Sequence, residues 1–223
     1  MKKAVFIGYH DKTDLLFYLA KTLSAAGRRV LIVDATAEKR YEFAYPALDI
    51  PGEPQEYDGF DVWIPCGTRH AVDLGAYDLI LYDTDDAGAL RDCPPAQWNF
   101  LVGGCEQTSV RRNVRLLESF FADKPASELY GFYKILFEAS AEPGEAYIDE
   151  LLERFPIDWK GTFAYYPDER NMAIKIGNQY AARLKMKGLS TEIKRVVQSC
   201  ASALLELDER AARKLWKTAE RSR

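Results

Sequence analysis

The chemistry-bearing residues crowd into Gly8-Tyr9-His10-Asp11-Lys12-Thr13-Asp14, between an apolar run, Ala4-Val5-Phe6-Ile7, and a helical pattern that begins at Leu15. A strand, a turn and a Lys-Thr pair at the head of a helix make a phosphate-binding arrangement. Backbone N–H groups curl around phosphate oxygens, the lysine neutralises them and the hydroxyl ligates magnesium. Gly8, Lys12 and Thr13 fit that chemistry. The two glycines of G-x-x-x-x-G-K-[ST] fall instead at Phe6 and Asp11, and Tyr9 adds bulk where the backbone should approach an anion closely. Asp11 stands one position before the helix, with Asp14 three residues later, which reads as an N-cap with an acidic N3 residue. A carboxylate there occupies the N–H groups that a phosphate needs, so weak or absent ATP binding is expected.

A second acidic cluster closes Tyr77-Asp78-Leu79-Ile80-Leu81-Tyr82-Asp83-Thr84-Asp85-Asp86. Strand C-termini in an α/β sheet converge on the ligand crevice, which puts Asp83 beside Lys12. There it either holds a metal or pairs with the lysine. Three carboxylates beside the loop would repel a nucleotide unless a cation neutralised them, which favours pairing.

The positioning elements follow from periodicity. Ala4 to Ile7, Val30 to Val33, Leu79 to Tyr82, Phe100 to Val102 and Ile135 to Phe137 are short apolar runs of the kind covered on both faces. Leu16, Leu19, Ala20 and Leu23 recur at helical spacing between the first two, with Gly27 as the stop. Strand, helix, strand at that length implies right-handed parallel crossovers. The expectation is a doubly wound, mainly parallel α/β sheet flanked by helices.

Other segments are less regular. Between Glu38 and Phe60 the period is lost while Tyr41, Phe43, Tyr45, Pro46, Pro51, Pro54 and Tyr57 accumulate, an irregular excursion that either caps the sheet edge or offers a partner surface before a strand at Asp61 to Pro65. A helix from Thr108 to Phe121 carries Val110, Val114, Leu117 and Phe121 on its stripe, leaving Arg111, Arg112 and Arg115 as a solvated face. A strand from Phe132 to Ala139, a helix from Pro143 to Phe155 and a strand from Gly161 to Tyr166 lead into the turn Pro167-Asp168-Glu169-Arg170, which opens another helix. Residues 1–207 form the α/β domain, and 208–223 a basic helical tail in which Ala212, Leu215, Trp216 and Ala219 are the apolar side. That apolar side is small for membrane attachment, and packing on the domain is favoured.

Composition narrows the classes. The chain has 223 residues and a net charge of −4, which argues against a nucleic-acid binder because phosphate neutralisation needs a basic face. Cys66, Cys93, Cys105 and Cys200 form no C-x-x-C pair and there are two histidines, so no metal site is expected. No stretch approaches the roughly 20 apolar residues of a membrane span, and a cytoplasmic protein is expected.

Taken in order, these segments resemble the ParA/MinD family of P-loop ATPases from about Lys2 to Leu207. Gly8 to Thr13 is similar to the end of the family's deviant Walker motif, Arg28 to Ala35 to its second strand with Asp34, and Tyr77 to Thr84 to its Walker B strand with Asp83. Tyr165-Tyr166-Pro167-Asp168-Glu169 resembles the late strand and turn that border the base. The resemblance makes Gly8, Lys12, Thr13, Asp34, Asp83, Pro167 and Asp168 vestigial nucleotide-site positions, with no catalytic residue among them. It also shows what is missing: the signature lysine falls at Ile7, the switch I aspartate at Thr36, and Asp85-Asp86 replaces the residues after the Walker B aspartate.

The resemblance implies a nucleotide-dependent dimeric switch that positions other machinery, and the departures from its pattern favour a catalytically inactive scaffold or localisation factor without a cofactor. It would serve a larger machine such as a pilus or secretion assembly through protein partners and a homodimer, at most peripherally at the inner membrane face. The alternative is an unconventional ATPase or nucleotide-dependent switch that keeps ATP and magnesium through Lys12, Thr13 and Asp83.

Overall fold

Strands that are apolar on both faces need helices on both sides, and the computed structural model, which describes residues 1–46, 52–65, 72–137 and 144–222, has that layering. The element order is β1 (Lys2–Ile7), α1 (Thr13–Ser24), β2 (Val30–Asp34), β3 (Gln55–Tyr57), β4 (Phe60–Trp63), β5 (Leu79–Thr84), α2 (Ala87–Asp92) and β6 (Trp98–Gly104). It continues with α3 (Gln107–Phe121), β7 (Tyr130–Phe137), α4 (Glu145–Leu152), β8 (Ile157–Tyr165), α5 (Glu169–Asn178), α6 (Thr191–Leu205) and α7 (Glu209–Arg221). The strands form one sheet in the order β3-β4-β2-β5-β1-β6-β7-β8, parallel throughout except for β3 against β4. This is the expected α/β architecture.

Alternation along each strand feeds two cores. Ala4, Phe6, Ile32, Leu81, Phe100 and Ile135 point to one face, where α1, α6 and α7 cover them. Val5, Ile7, Leu31, Val33, Ile80 and Leu101 point to the other, against α3 and α4. In α1 the burial extends beyond the Leu16, Leu19, Ala20 and Leu23 stripe to Leu15, Phe17 and Tyr18. The cause is a second layer: α6 and α7 pack on α1, and Phe17 lies within 5.3–5.8 Å of the rings of Tyr41, Tyr45, Tyr57 and Phe60.

That aromatic cluster revises the expected excursion. The segment contains a short helical turn at Arg40–Phe43 and the strand β3, and Tyr41, Tyr45 and Tyr57 are core residues. Phe43 alone of the described aromatics named there is strongly exposed, at 76%. Strand ends also move: β8 starts at Ile157 rather than Gly161, because its whole length can pair with β7 once a register irregularity at Phe132/Tyr133 absorbs one residue. Pro51, Cys66, the expected strand end at Ala139, the expected helix start at Pro143 and Arg223 lie outside the described residues. Helix α7 turns its apolar side inward, with Trp216 and Ala219 in the same core as α1 and α6. Among the described residues no helix is long and apolar enough to cross a membrane.

Candidate functional site

The C-terminal ends of β1, β2 and β5 carry the site. In the sheet register Asp83 lies beside both Phe6 and Asp34, so the β1–α1 loop and the two carboxylates meet at one end of the sheet, where Lys12, Asp34 and Asp83 are fully buried. Gly8, at the end of β1, adopts φ +151°, and a Cβ there would fall 1.8 Å from the Val102 carbonyl oxygen. Glycine is therefore needed to let the loop run against β6. Asn113 of α3 fixes the next residue: its Oδ1 accepts from the Tyr9 N–H at 2.8 Å while its Nδ2 donates to the Val102 oxygen at 3.0 Å.

Lys12 is fully buried and folds back into its own loop. Its Nζ donates to the Gly8 oxygen at 2.6 Å and the His10 oxygen at 3.1 Å, and lies 2.8 Å from Asp83 Oδ1. Two of the three ammonium donors thus meet backbone carbonyls, and the charge is paired with the Asp83 carboxylate. The other Asp83 oxygen accepts from the Tyr41 hydroxyl at 2.9 Å. Burial pushes the Asp83 carboxyl up to about 6, against the opposing pull of Lys12. Burial and the neighbouring carboxylates Asp83 and Asp34 raise the Tyr41 phenol well above its ordinary range, so it stays a donor.

Asp34 organises the β2 turn. Its Oδ1 accepts from the Thr36 N–H at 2.9 Å and the Thr36 hydroxyl at 2.5 Å, and its Oδ2 from the Tyr41 N–H at 3.0 Å. The Thr36 hydroxyl in turn accepts from the Arg40 N–H at 3.1 Å. Asp85 and Asp86 are taken up locally. Asp85 pairs with Arg40 at 2.7 Å and accepts from the Ala37 N–H, while Asp86 caps α2 through the Ala89 N–H at 2.7 Å.

At the head of α1, Asp11 Oδ1 accepts from both the N–H and the hydroxyl of Thr13, at 3.0 and 2.9 Å. The expected N-cap assignment is corrected by one residue: Lys12 occupies the cap position and Thr13 the first helical one. The reason is the tight turn that Asp11 makes with the N–H two residues on, so Asp14 is the second helical residue rather than the third. The other Asp11 oxygen meets Lys175 of α5 at 2.7 Å, and Lys175 also lies 3.7 Å from Asp14. Burial opposes ionisation of Asp11, but the Lys175 charge, its hydrogen bond and the Thr13 donors hold that carboxyl far below its ordinary value. His10 stacks on Phe137 at 4.3 Å, and burial lowers its imidazole to about 4.

The structure thus brings Gly8, Lys12, Thr13, Asp34 and Asp83 together. Pro167 is exposed, and Asp168 directs its carboxylate to the N–H, Nε and Nη2 of Arg170 while capping α5. Arg112 is exposed, as expected, and also lies over the Tyr9 ring at 3.9 Å. Sequence reasoning also missed Tyr41 as a donor to Asp83, and Lys175. The asparagine at 113 interrupting an apolar helical stripe was a readable signal; Lys175 had none.

A search of solved structures finds the same architecture elsewhere. A ParA family ATPase from Chlorobium tepidum TLS superposes with a TM-score of 0.64 over 91% of this chain and 99% of that chain, at 17% identity. The chain has a ParA/MinD-like fold. MinD from Aquifex aeolicus aligns with a TM-score of 0.57 at 16% identity, covering 93% of this chain and 98% of that one. MinD in a MinC:MinD cell division complex of the same organism gives 0.59 at 14% identity, with 93% and 97% covered. No protein-family model matches the sequence, and no curated protein does.

Proposed function

We propose that this protein is a ParA/MinD-type scaffold or localisation factor that works without an ATP cycle. The observation that carries the reading is the Asp11 carboxylate, which sits on the Thr13 N–H and hydroxyl at the head of α1 and is neutralised by Lys175. The loop therefore supplies its own anion where a phosphate group would bind. ATP with magnesium does not fit the residues present. Lys12 is committed to two carbonyls and Asp83, the Thr13 hydroxyl to Asp11, and Thr36 offers a hydroxyl already bonded to Asp34 where a carboxylate would orient water. A phosphate entering this loop would have to displace these contacts.

Such a scaffold acts by holding protein partners. One of the structural neighbours, MinD, is seen in complex with MinC, which is the kind of use the reading extends to this chain, with a pilus or secretion assembly as the machine it would position.

The test is calorimetry with ATP and magnesium beside a turnover assay. No saturable heat up to about 1 mM nucleotide is expected. Micromolar binding, with turnover lost in a folded Lys12→Met protein, would establish the nucleotide-switch alternative instead. The double variant Asp11→Gly, Tyr9→Gly probes the loop itself. Binding regained without turnover supports a decayed phosphate site, and no gain indicates a crevice closed by its other contacts.

A further inference from the structure

Helices α3 and α4 cover the same side of the sheet, and both are anchored to it. Val110 and Leu117 of α3 and Ile148 and Leu152 of α4 join the core that holds Val5, Ile7 and Leu101. Between the two helices a groove of about 500 Å³ is left, a volume within the range of small-molecule sites. Its apolar lining is Val110 and Val114 from α3, Tyr147 and Leu151 from α4, and Cys105 just past β6. Tyr147 stands 46% exposed beside these apolar neighbours. Exposed apolar surface rimmed by polar groups marks a binding groove more than a solvated face.

The polar part of the lining is Gln107, Arg111, Arg115 and Glu118, all on α3. Glu118, the one carboxylate, already meets Arg154 just past the end of α4. Arg111 and Arg115 are exposed and stand one helical turn apart. Among the described residues the arginines in ion pairs are Arg29, Arg40, Arg154, Arg170 and Arg213, so neither Arg111 nor Arg115 has an acidic partner. The groove therefore joins an apolar wall to two positive charges without counter-charges, on a chain whose net charge is −4.

We propose that this groove binds a fatty-acid anion, with its carboxylate between Arg111 and Arg115 and its acyl chain laid along Val110, Val114 and Leu151. Two properties of the lining select that ligand. Paired guanidinium groups meet a carboxylate with short, charge-assisted hydrogen bonds, and here no protein carboxylate competes for them. An extended peptide in the same place would bring N–H and C=O groups against Val110, Val114 and Leu151, side chains that return no hydrogen bond, and each group so stranded is costly. An acyl chain has no such groups. The site shares no residue with the Asp11, Lys12 and Asp83 cluster, and it does not depend on whether that loop takes a nucleotide.

Calorimetry of the full chain with sodium decanoate tests the assignment. One site per chain with a dissociation constant of about 10–100 µM is expected. Decanol, which keeps the chain without the charge, and acetate, which keeps the charge without the chain, should each bind at least tenfold more weakly. Arg111→Gln with Arg115→Gln should weaken decanoate at least tenfold, to the level of decanol on the unaltered protein. Val114→Trp fills the groove and should weaken both ten-carbon ligands, with the melting temperature checking that the variant is folded. Lys214→Gln with Lys217→Gln, exposed positions on α7, removes the same charge elsewhere and should leave decanoate binding unaltered. No saturable binding up to about 1 mM decanoate overturns the proposal. So do decanoate binding indifferent to the arginine pair and equal binding of decanoate and decanol. Sedimentation with phosphatidylglycerol vesicles that needs the two arginines, without binding of free decanoate, also overturns it and assigns this face to a membrane.

Discussion

Asp11 and Lys175 lie 164 residues apart in the sequence and 2.7 Å apart in the fold. The pair joins the β1–α1 loop to α5, and Lys175 lies between Asp11 and Asp14 at the head of α1. Lys175→Met should destabilise the protein at pH 7. With the Asp11 side chain 42% exposed, solvent screens the pair and the cost is expected to be about 1 kcal/mol. Asp11 titrates below its ordinary value in the folded state, so its contribution is present above the ordinary carboxylate range and is lost as the pH falls through the depressed value. Urea denaturation at pH 7 and in strong acid should therefore show the wild-type advantage only at the higher pH.

Tyr41→Phe removes the hydroxyl that donates to Asp83 and leaves a fully buried carboxylate oxygen with less compensation. A loss of about 1–3 kcal/mol is expected from the desolvated acceptor. The same change should move the Asp83 carboxyl further up from about 6, since the phenol hydrogen bond favours its ionised form. Carbon-detected NMR titration of Asp83 reads that shift, and an unmoved value would detach Tyr41 from the pair.

His10 and Asp83 oppose one another in acid. The folded imidazole titrates near 4 instead of 6.5, so its contribution is complete above pH 6.5 and is lost as the pH falls toward 4. The Asp83 carboxyl is raised to about 6 from 3.8, so folding gains proton binding over the same interval. Together they flatten the stability profile between pH 6.5 and 4.5. His10→Asn removes the imidazole contribution, and between pH 7 and 4.5 this variant should gain on wild type by about 2 kcal/mol. Parallel profiles for the two proteins would contradict the buried, uncharged imidazole.

Removing α7 by a stop after Leu207 should unfold or severely destabilise the rest. Trp216 and Ala219 belong to the core that α1 and α6 share, with 2% and 0% exposure. Trp216→Ala alone is expected to cost about 3–5 kcal/mol. A truncated chain with an unchanged melting temperature would mean that α7 is a detachable appendage after all.

The local signals in the sequence determined the class of fold and the address of the site. Apolar runs at Ala4 to Ile7, Val30 to Val33 and Leu79 to Tyr82, separated by helical periods, imply a parallel sheet, and a parallel sheet gathers its loops at the strand C-termini. That logic puts Lys12, Asp34 and Asp83 in one crevice before any coordinate is known. The carboxylate at Asp11 was legible too, because a helix N-terminus accepts such a residue from its immediate neighbours. What each group finally touches was decided by tertiary packing. Whether Lys12 reaches out or folds back on Gly8, whether Tyr41 is surface or core, and which cation finds Asp11 depend on loops and helices that meet only after the layers have closed. Periodicity acts over a few residues and carries no signal for a contact such as that of Asn113 with Tyr9, 104 positions away. The second coat over α1, built from α6, α7 and the aromatics around Phe17, is likewise a property of the assembled layers, since one helix's own pattern cannot say how many of its sides will be covered.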